Sequence, residues 1–252
     1  MKKNLCALCA LFCLALGVVA QDAPAFTGEN AEFAMIVDLN PLKKKVKDNV
    51  VLVNQATTAS LSFVIYVFDK KHEEWLQFGS GRLNGFNDTD KVGATLTGDV
   101  KKYPYVAVVP TEGVKYSFKT GAHSHDLYFF VQPENNSFEA FKESAVECDV
   151  SHIHRFTKDN IRFVSNSAKI QNTGFYVFAD SGEGYSLVGS AYLKGLGDTC
   201  FVHRADDIAL TQYNSIAIVS TDGGHYEFSV NAESNDLYVY VEDFATPTPA
   251  SE

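Results

Sequence analysis

Alternation of polar and aromatic residues gives the first expectation. From Lys115 to Lys119 the two types alternate, which places Tyr116 and Phe118 on one side of an extended chain. His225 to Ser229 repeats the pattern with Tyr226 and Phe228. The run Phe63-Val64-Ile65-Tyr66-Val67-Phe68 is apolar on both sides and predicts a central strand covered on both faces, and 103–109 reads the same way. Turn-forming clusters separate such runs: Leu83-Asn84-Gly85, Thr111-Glu112-Gly113, Ser181-Gly182-Glu183-Gly184 and Thr221-Asp222-Gly223-Gly224. One segment, 136–144, has a helical pattern, with Asn136 and Glu139 spaced as a capping box. An irregular linker is the alternative there.

The pattern is written twice. Residues 103–131 and 213–241 are identical at 13 of 29 positions under a shift of 110, where about two identities are expected from ordinary residue usage. The same shift pairs Tyr66-Val67-Phe68 with Tyr176-Val177-Phe178, Gly79-Ser80 with Gly189-Ser190, and Gly85, Asp88 and Thr89 with Gly195, Asp198 and Thr199. A one-residue slip pairs Asp48-Asn49-Val50 with Asp159-Asn160-Ile161. A period of this size is a tandem duplication of a domain, not a solenoid repeat. Short, regularly spaced strands predict an all-β chain of two homologous β-sandwich domains, jelly-roll or Ig-like, with about seven or eight strands each. The expected organisation is a signal peptide at 1–20, a lead at 21–32, the first repeat at 33–133, a linker at 134–144, the second repeat at 145–242 and a disordered tail at 243–252, rich in Thr and Pro.

The N-terminus adds a compartment. Lys2 and Lys3 precede an apolar run at 5–19, short for the roughly 20 residues that span a bilayer. Val18-Val19-Ala20 suits a signal peptidase, with a second possible cut after Ala25. None of Cys6, Cys9 and Cys13 follows the small-residue triplet that lipid attachment needs, and no later segment is apolar enough to span a membrane. Export to a periplasm or beyond the cell is the expectation, and the short Lys-Lys start points to a bacterium. Cleavage leaves Cys148 and Cys200. In an oxidising compartment two thiols predict a disulfide, and their counterparts Val37 and Asp90 show that both sulfurs are peculiar to the second copy. Two separate buried cysteines are the alternative.

Charge removes whole classes of partner. The chain carries 21 basic and 31 acidic residues, a formal charge of −10. Losing Lys2 and Lys3 leaves 19 against 31, or −12. Such a surface repels nucleic acid and anionic lipid. An apolar content of 46% excludes a disordered chain, a collagen or a coiled coil.

Catalytic signatures are missing. Gly79-Ser80-Gly81 lacks the spacing of a nucleophile elbow, and His72-Glu73-Glu74 lacks the second histidine of a zincin helix. No enzyme activity and no obligatory cofactor are expected. Three binding chemistries stay open. His123 with His125 and His152 with His154 are H-x-H pairs, which in extended segments project to one side and chelate zinc or copper. Polar edge residues are the alternative, and His123 and His125 align with Glu233 and Asn235. The loop holding Asn87, Asp88 and Asp90 is rich enough in oxygen for calcium, although a turn capped by Asp88 explains it equally well. Trp75, the only Trp, aligns with Tyr185, and the two rings suit equivalent sugar-stacking surfaces, with core packing as the alternative. The basic run Lys43-Lys44-Lys45 with Lys47 reads as a solvated connection, or as a grip on an anionic polymer or an acidic partner.

Gly113-Val114-Lys115-Tyr116-Ser117-Phe118 followed by Asp126-Leu127-Tyr128-Phe129-Phe130-Val131 resembles the closing strands of bacterial pre-peptidase C-terminal modules. Gly223, Tyr226, Phe228 and 236–241 match in the same way. The resemblance covers about twenty residues of each copy. It implies non-catalytic, jelly-roll-like sandwiches that accompany secreted enzymes, some of which bind polymers with calcium. No peptidase precedes them in this chain. Together these readings predict an exported, non-catalytic protein that presents a binding surface to a protein or cell-envelope partner. A carbohydrate-binding module and a metal-binding periplasmic protein are the rivals.

Overall fold

The structure is a computed structural model and describes residues 23–94, 99–206 and 208–244. The expected signal peptide at 1–20 and the expected tail beyond Phe244 lie outside the described residues. The protein is all-β. Its first nine strands are β1 (Met35–Asp38), β2 (Val50–Asn54), β3 (Leu61–Asp69), β4 (Glu74–Leu83), β5 (Thr89–Lys91), β6 (Gly93–Ala94), β7 (Tyr105–Pro110), β8 (Ser117–His123) and β9 (Asp126–Gln132). The next nine are β10 (Val146–Asp149), β11 (Ile161–Ser165), β12 (Thr173–Asp180), β13 (Tyr185–Leu193), β14 (Thr199–Phe201), β15 (His203–Arg204), β16 (Ser215–Ser220), β17 (Tyr226–Glu233) and β18 (Asp236–Asp243).

Among the described residues they form four sheets. Two have five strands, in the orders β1-β7-β3-β4-β6 and β10-β16-β12-β13-β15. Two have four strands, in the orders β5-β2-β9-β8 and β14-β11-β18-β17. Raising every strand number of the first pair by nine gives the second pair. Among the described residues, no helix is long and apolar enough to cross a membrane.

The chain divides into two compact units. Unit 1 takes residues up to Leu52, Leu61–Arg82 and Asp90–Val131. Unit 2 takes everything from Gln132 onward together with Val53–Ser60 and Leu83–Thr89.

In unit 2, one buried cluster joins Phe175 and Val177 of β12, Ile216 and Ile218 of β16, Phe163 of β11 and Val239 and Val241 of β18. Side chains of both sheets thus meet in one interior, which is a sandwich core. In unit 1, the Phe63 ring of β3 lies 5.8 Å from Tyr116 and 5.7 Å from Phe118, across to the four-stranded sheet. The alternation at 115–119 therefore does put Tyr116 and Phe118 on one side.

Several of the matching letters are structural clamps. Asp126 Oδ1 accepts the Asn49 backbone N–H at 3.2 Å and its side-chain amide at 2.7 Å. Asp236 does the same for Asn160, at 3.1 and 3.0 Å. Asp88 caps the Asn84 N–H at 2.7 Å, and Asp198 caps Lys194 at 2.8 Å. The hairpins β8–β9 and β17–β18 turn on Ser124-His125 and Ser234-Asn235, all at positive φ. Two successive left-handed residues match the twist of the flanking strands.

The segment 136–144 is not an α-helix. It makes two 3₁₀ turns, Phe138–Ala140 and Lys142–Ser144, and the Asn136 amide bonds Gln132 instead of capping.

Candidate functional site: an aromatic groove on unit 1

A sheet with one face in a sandwich core presents its other face outward. On β3 the inward residues Phe63, Ile65 and Val67 are fully buried. The outward residues Tyr66 and Phe68 meet Trp75 of β4 and Tyr105 of β7. The Phe68 ring lies 5.3 Å from Trp75 and 6.2 Å from Tyr105, both edge-on. The lead segment reaches this face from the N-terminal side. Its Phe26 ring packs 4.8 Å from Tyr66 and 5.6 Å from Trp75, and the Trp75 indole N–H donates to the Ala25 carbonyl at 3.2 Å.

What remains beside these rings is an open groove of about 1020 Å³. Its lining includes Trp75, Tyr66, Phe68 and Tyr105, with Lys43, Lys70 and Lys102 as its cations and Glu73 and Glu74 as its anions. Among the described residues, none of those three lysines takes part in an ion pair. The groove thus combines apolar ring surface with unpaired cationic donors, the composition of a site for a ligand with flat C–H faces and polar edges. Beside it, in the β3–β4 turn, His72 Nδ1 bonds Asp69 at 2.7 Å. That bond lowers the Asp69 carboxyl and raises the His72 imidazole.

Tyr185, the counterpart of Trp75, is not an equivalent open surface. The linker covers it. The Phe138 ring lies tilted 4.3 Å from the Tyr185 ring, and the Tyr185 hydroxyl bonds Glu147 at 3.0 Å and Ser215 at 2.8 Å. Burial raises its pKa.

The H-x-H pairs do not have the extended geometry that chelation by alternate residues needs. His123 ends β8, its side chain lies outside the described residues, and His125 sits in the turn at φ 73°. His152 lies in a turn and His154 opens a 3₁₀ turn, where its Nδ1 is 2.8 Å from the Tyr213 carbonyl. No group of three or more metal-ligating side chains occurs among the described residues.

The calcium candidates are engaged by backbone and neighbours. Asp88 caps Asn84, Asp90 Oδ2 accepts the Arg82 N–H at 2.8 Å, and Asn87 Oδ1 accepts from Ser190 at 2.7 Å. The Asp88 contact is the turn cap, whereas the Asn87 contact is long-range.

The expected Cys148–Cys200 bridge is not formed, and both are free thiols. The reason is topological. Cys148 lies on β10, one edge of its sheet, whereas Cys200 lies on β14, which packs beside β13. β10 and β13 are three strand spacings apart, about 14 Å, where a disulfide needs Cα atoms within about 7 Å. Burial pushes both thiols up to about 11.

Of the basic run, Lys43 alone lines the groove. Sequence reasoning found Trp75 but not Phe26, Tyr105, Lys70 or Lys102. The available signal was the strand 63–68, whose second apolar face had to be covered by something. No protein-family model, curated protein or solved structure matches the chain.

Proposed function

We propose that the chain is an exported, non-catalytic binding protein made of two copies of one β-sandwich unit. Its groove around Trp75 holds a carbohydrate chain of the cell envelope or extracellular space. The observation that carries this reading is the groove itself, lined by four outward rings of one sheet that Phe26 covers only in part, and edged by three lysines that have no acidic partner among the described residues. Pyranose C–H faces pack on aromatic rings, and hydroxyl and carboxylate groups bond the edge. Lys43, Lys70 and Lys102 favour an acidic glycan over a neutral one, within a chain whose net charge repels other polyanions. The likeness of each closing hairpin to secreted polymer-binding modules leans the same way.

Affinity electrophoresis of the purified protein in gels containing acidic or neutral polysaccharides tests it. Retardation by the acidic polymer is expected, lost in Trp75→Ala and weakened by added salt in the native chain. Retardation that persists in Trp75→Ala, or none on any polysaccharide, contradicts the reading.

A further inference from the structure

The turn Leu83–Thr89 is a knob. It belongs to unit 2, where Phe86 joins the cluster of Tyr176, Phe178 and Val219. The Phe86 ring stands 5.5 Å from Tyr176, edge-on, directly over Gly174. A Cβ at Gly174 would lie 2.6 Å from that ring and 2.8 Å from Thr221 Oγ1. Two polar bonds flank the ring. Ser190 donates to Asn87 at 2.7 Å, and the buried Gln55 amide donates to the His203 carbonyl at 2.8 Å. The seat is therefore the outer face of β12, β13 and β15 with the turn after β16.

Each part of this joint has a counterpart elsewhere in the chain. The knob corresponds to the turn 193–199, with Leu196 in place of Phe86. Leu196 is 66% exposed, more than any other large apolar side chain among the described residues. The flanking amide corresponds to Asn166, which is exposed. The seat corresponds to Val64 and Tyr66 of β3, Ser80 of β4, Gly93 of β6 and Thr111. On unit 1 that surface carries an open groove of about 350 Å³ lined by Val64, Ser80, Arg82, Asp90 and Thr111. One knob is seated, while its counterpart is bare. One seat is filled, and its counterpart is empty among the described residues.

From this we infer that the protein assembles head to tail with itself, the turn 193–199 of one copy resting on the β3–β4–β6 face of unit 1 of the next. The occupant is a second copy because the turn already seated on the corresponding strands has the same frame: Gly85 and Gly195 precede the apolar residue, and Asp88 and Asp198 cap the turn. The contact is heterologous, so it does not close on itself, and the assembly is an open chain. It is weaker than the seated joint for identifiable reasons. Leu196 is smaller than Phe86, Gly197 lacks the amide of Asn87, and Val64 fills the hole that Gly174 leaves. Leu196 thus lies on the strand instead of sinking into it.

Sedimentation velocity of the purified protein, from roughly 10 μM to roughly 1 mM, tests the inference. The weight-average mass is expected to rise without a plateau. Leu196→Asp on the knob and Val64→Glu on the seat each weaken association at least about tenfold, with unchanged thermal midpoints. An equimolar mixture of the two variants associates again but stops at two chains, because only one intact knob meets one intact seat. Should Val64→Glu fail to fold, the exposed Thr111→Arg replaces it. A protein that stays monomeric over the whole range, or one that associates equally well as Leu196→Asp, overturns the inference.

Discussion

The outer face of β3–β4 and the outer face of β12–β13 carry nearly the same residues, yet one holds a groove and the other is closed. Tyr66 and Phe68 match Tyr176 and Phe178, and Ala107 and Val109 match Ala217 and Val219. Beyond the Phe86 ring seated at Tyr176, the difference lies in the segment laid over each face. In the second half, Phe138 packs 5.5 Å from Phe178, and Phe141 packs 5.4 Å from Tyr176 and 5.6 Å from Phe178. In the first half Phe26 is the only ring of the lead on that face. Counting back 111 residues from Phe141 gives Asn30, whose amide turns to the Pro110 carbonyl at 3.2 Å. Both segments continue into a 3₁₀ turn, Ala31–Phe33 and Lys142–Ser144. A change of one covering residue from ring to amide, with Tyr105 where the second half has Ser215, converts an exterior hydrophobic face into a groove. The sheets supply the rings, and the connections decide which rings meet solvent.

Phe178→Ala has the largest expected effect, because Phe178 is fully buried under two rings. It should cost about 3–5 kcal/mol in urea unfolding. Phe68→Ala should cost about 1 kcal/mol less, since the groove leaves part of that ring without neighbours. Equal losses would break the comparison. Removing the cover with Phe138→Ala and Phe141→Ala together should cost about 2–3 kcal/mol. It should also give the second half an open apolar face, measured as a gain in binding of an apolar fluorescent dye. No gain would mean that the cover is not what closes that face.

The thiols sharpen the comparison at a smaller scale. With Cys148 and Cys200 on opposite edges of the sandwich, reductant should leave the thermal midpoint unchanged. Both thiols, pushed up to about 11, should react slowly with alkylating reagents at neutral pH and faster as the pH approaches that value. A midpoint that falls with reductant would contradict the strand placement.

Much of the architecture was legible in the sequence because it rests on local periodicity. The alternation around Phe118 and Phe228 sets the strands, and the Asn49–Asp126 and Asn160–Asp236 pairs bond in the same way. The site was half legible. Trp75 stands out by residue type, whereas Phe26 lies in a lead with no period, and its role depends on a long-range contact. The H-x-H reading assumed extended backbone. Ser124-His125 forms a two-residue hairpin turn without the glycine or asparagine-glycine that usually marks one, so the local letters concealed the positive φ. The disulfide reading used compartment and paired occurrence, and neither of these carries the order of strands in a sheet.

The smallest expected effect lies beside the groove. The His72 imidazole, bonded to Asp69, should titrate above its ordinary value of 6.5 by NMR, and Asp69→Asn should return it towards that value. The sign follows from the raised folded-state value. The bond's contribution is full below pH 6.5 and fades as the pH rises through the shifted value, so the β3–β4 turn should exchange amide protons faster above that window.

Trp75 is the only tryptophan in the chain, so its fluorescence reports on the groove alone. The most direct measurement is quenching of that emission by iodide, with and without an acidic oligosaccharide. The account expects efficient quenching in the free protein, helped by Lys43, Lys70 and Lys102, and protection that saturates as the oligosaccharide binds. Emission that iodide does not reach, or quenching that no oligosaccharide changes, would contradict an open groove that holds a glycan.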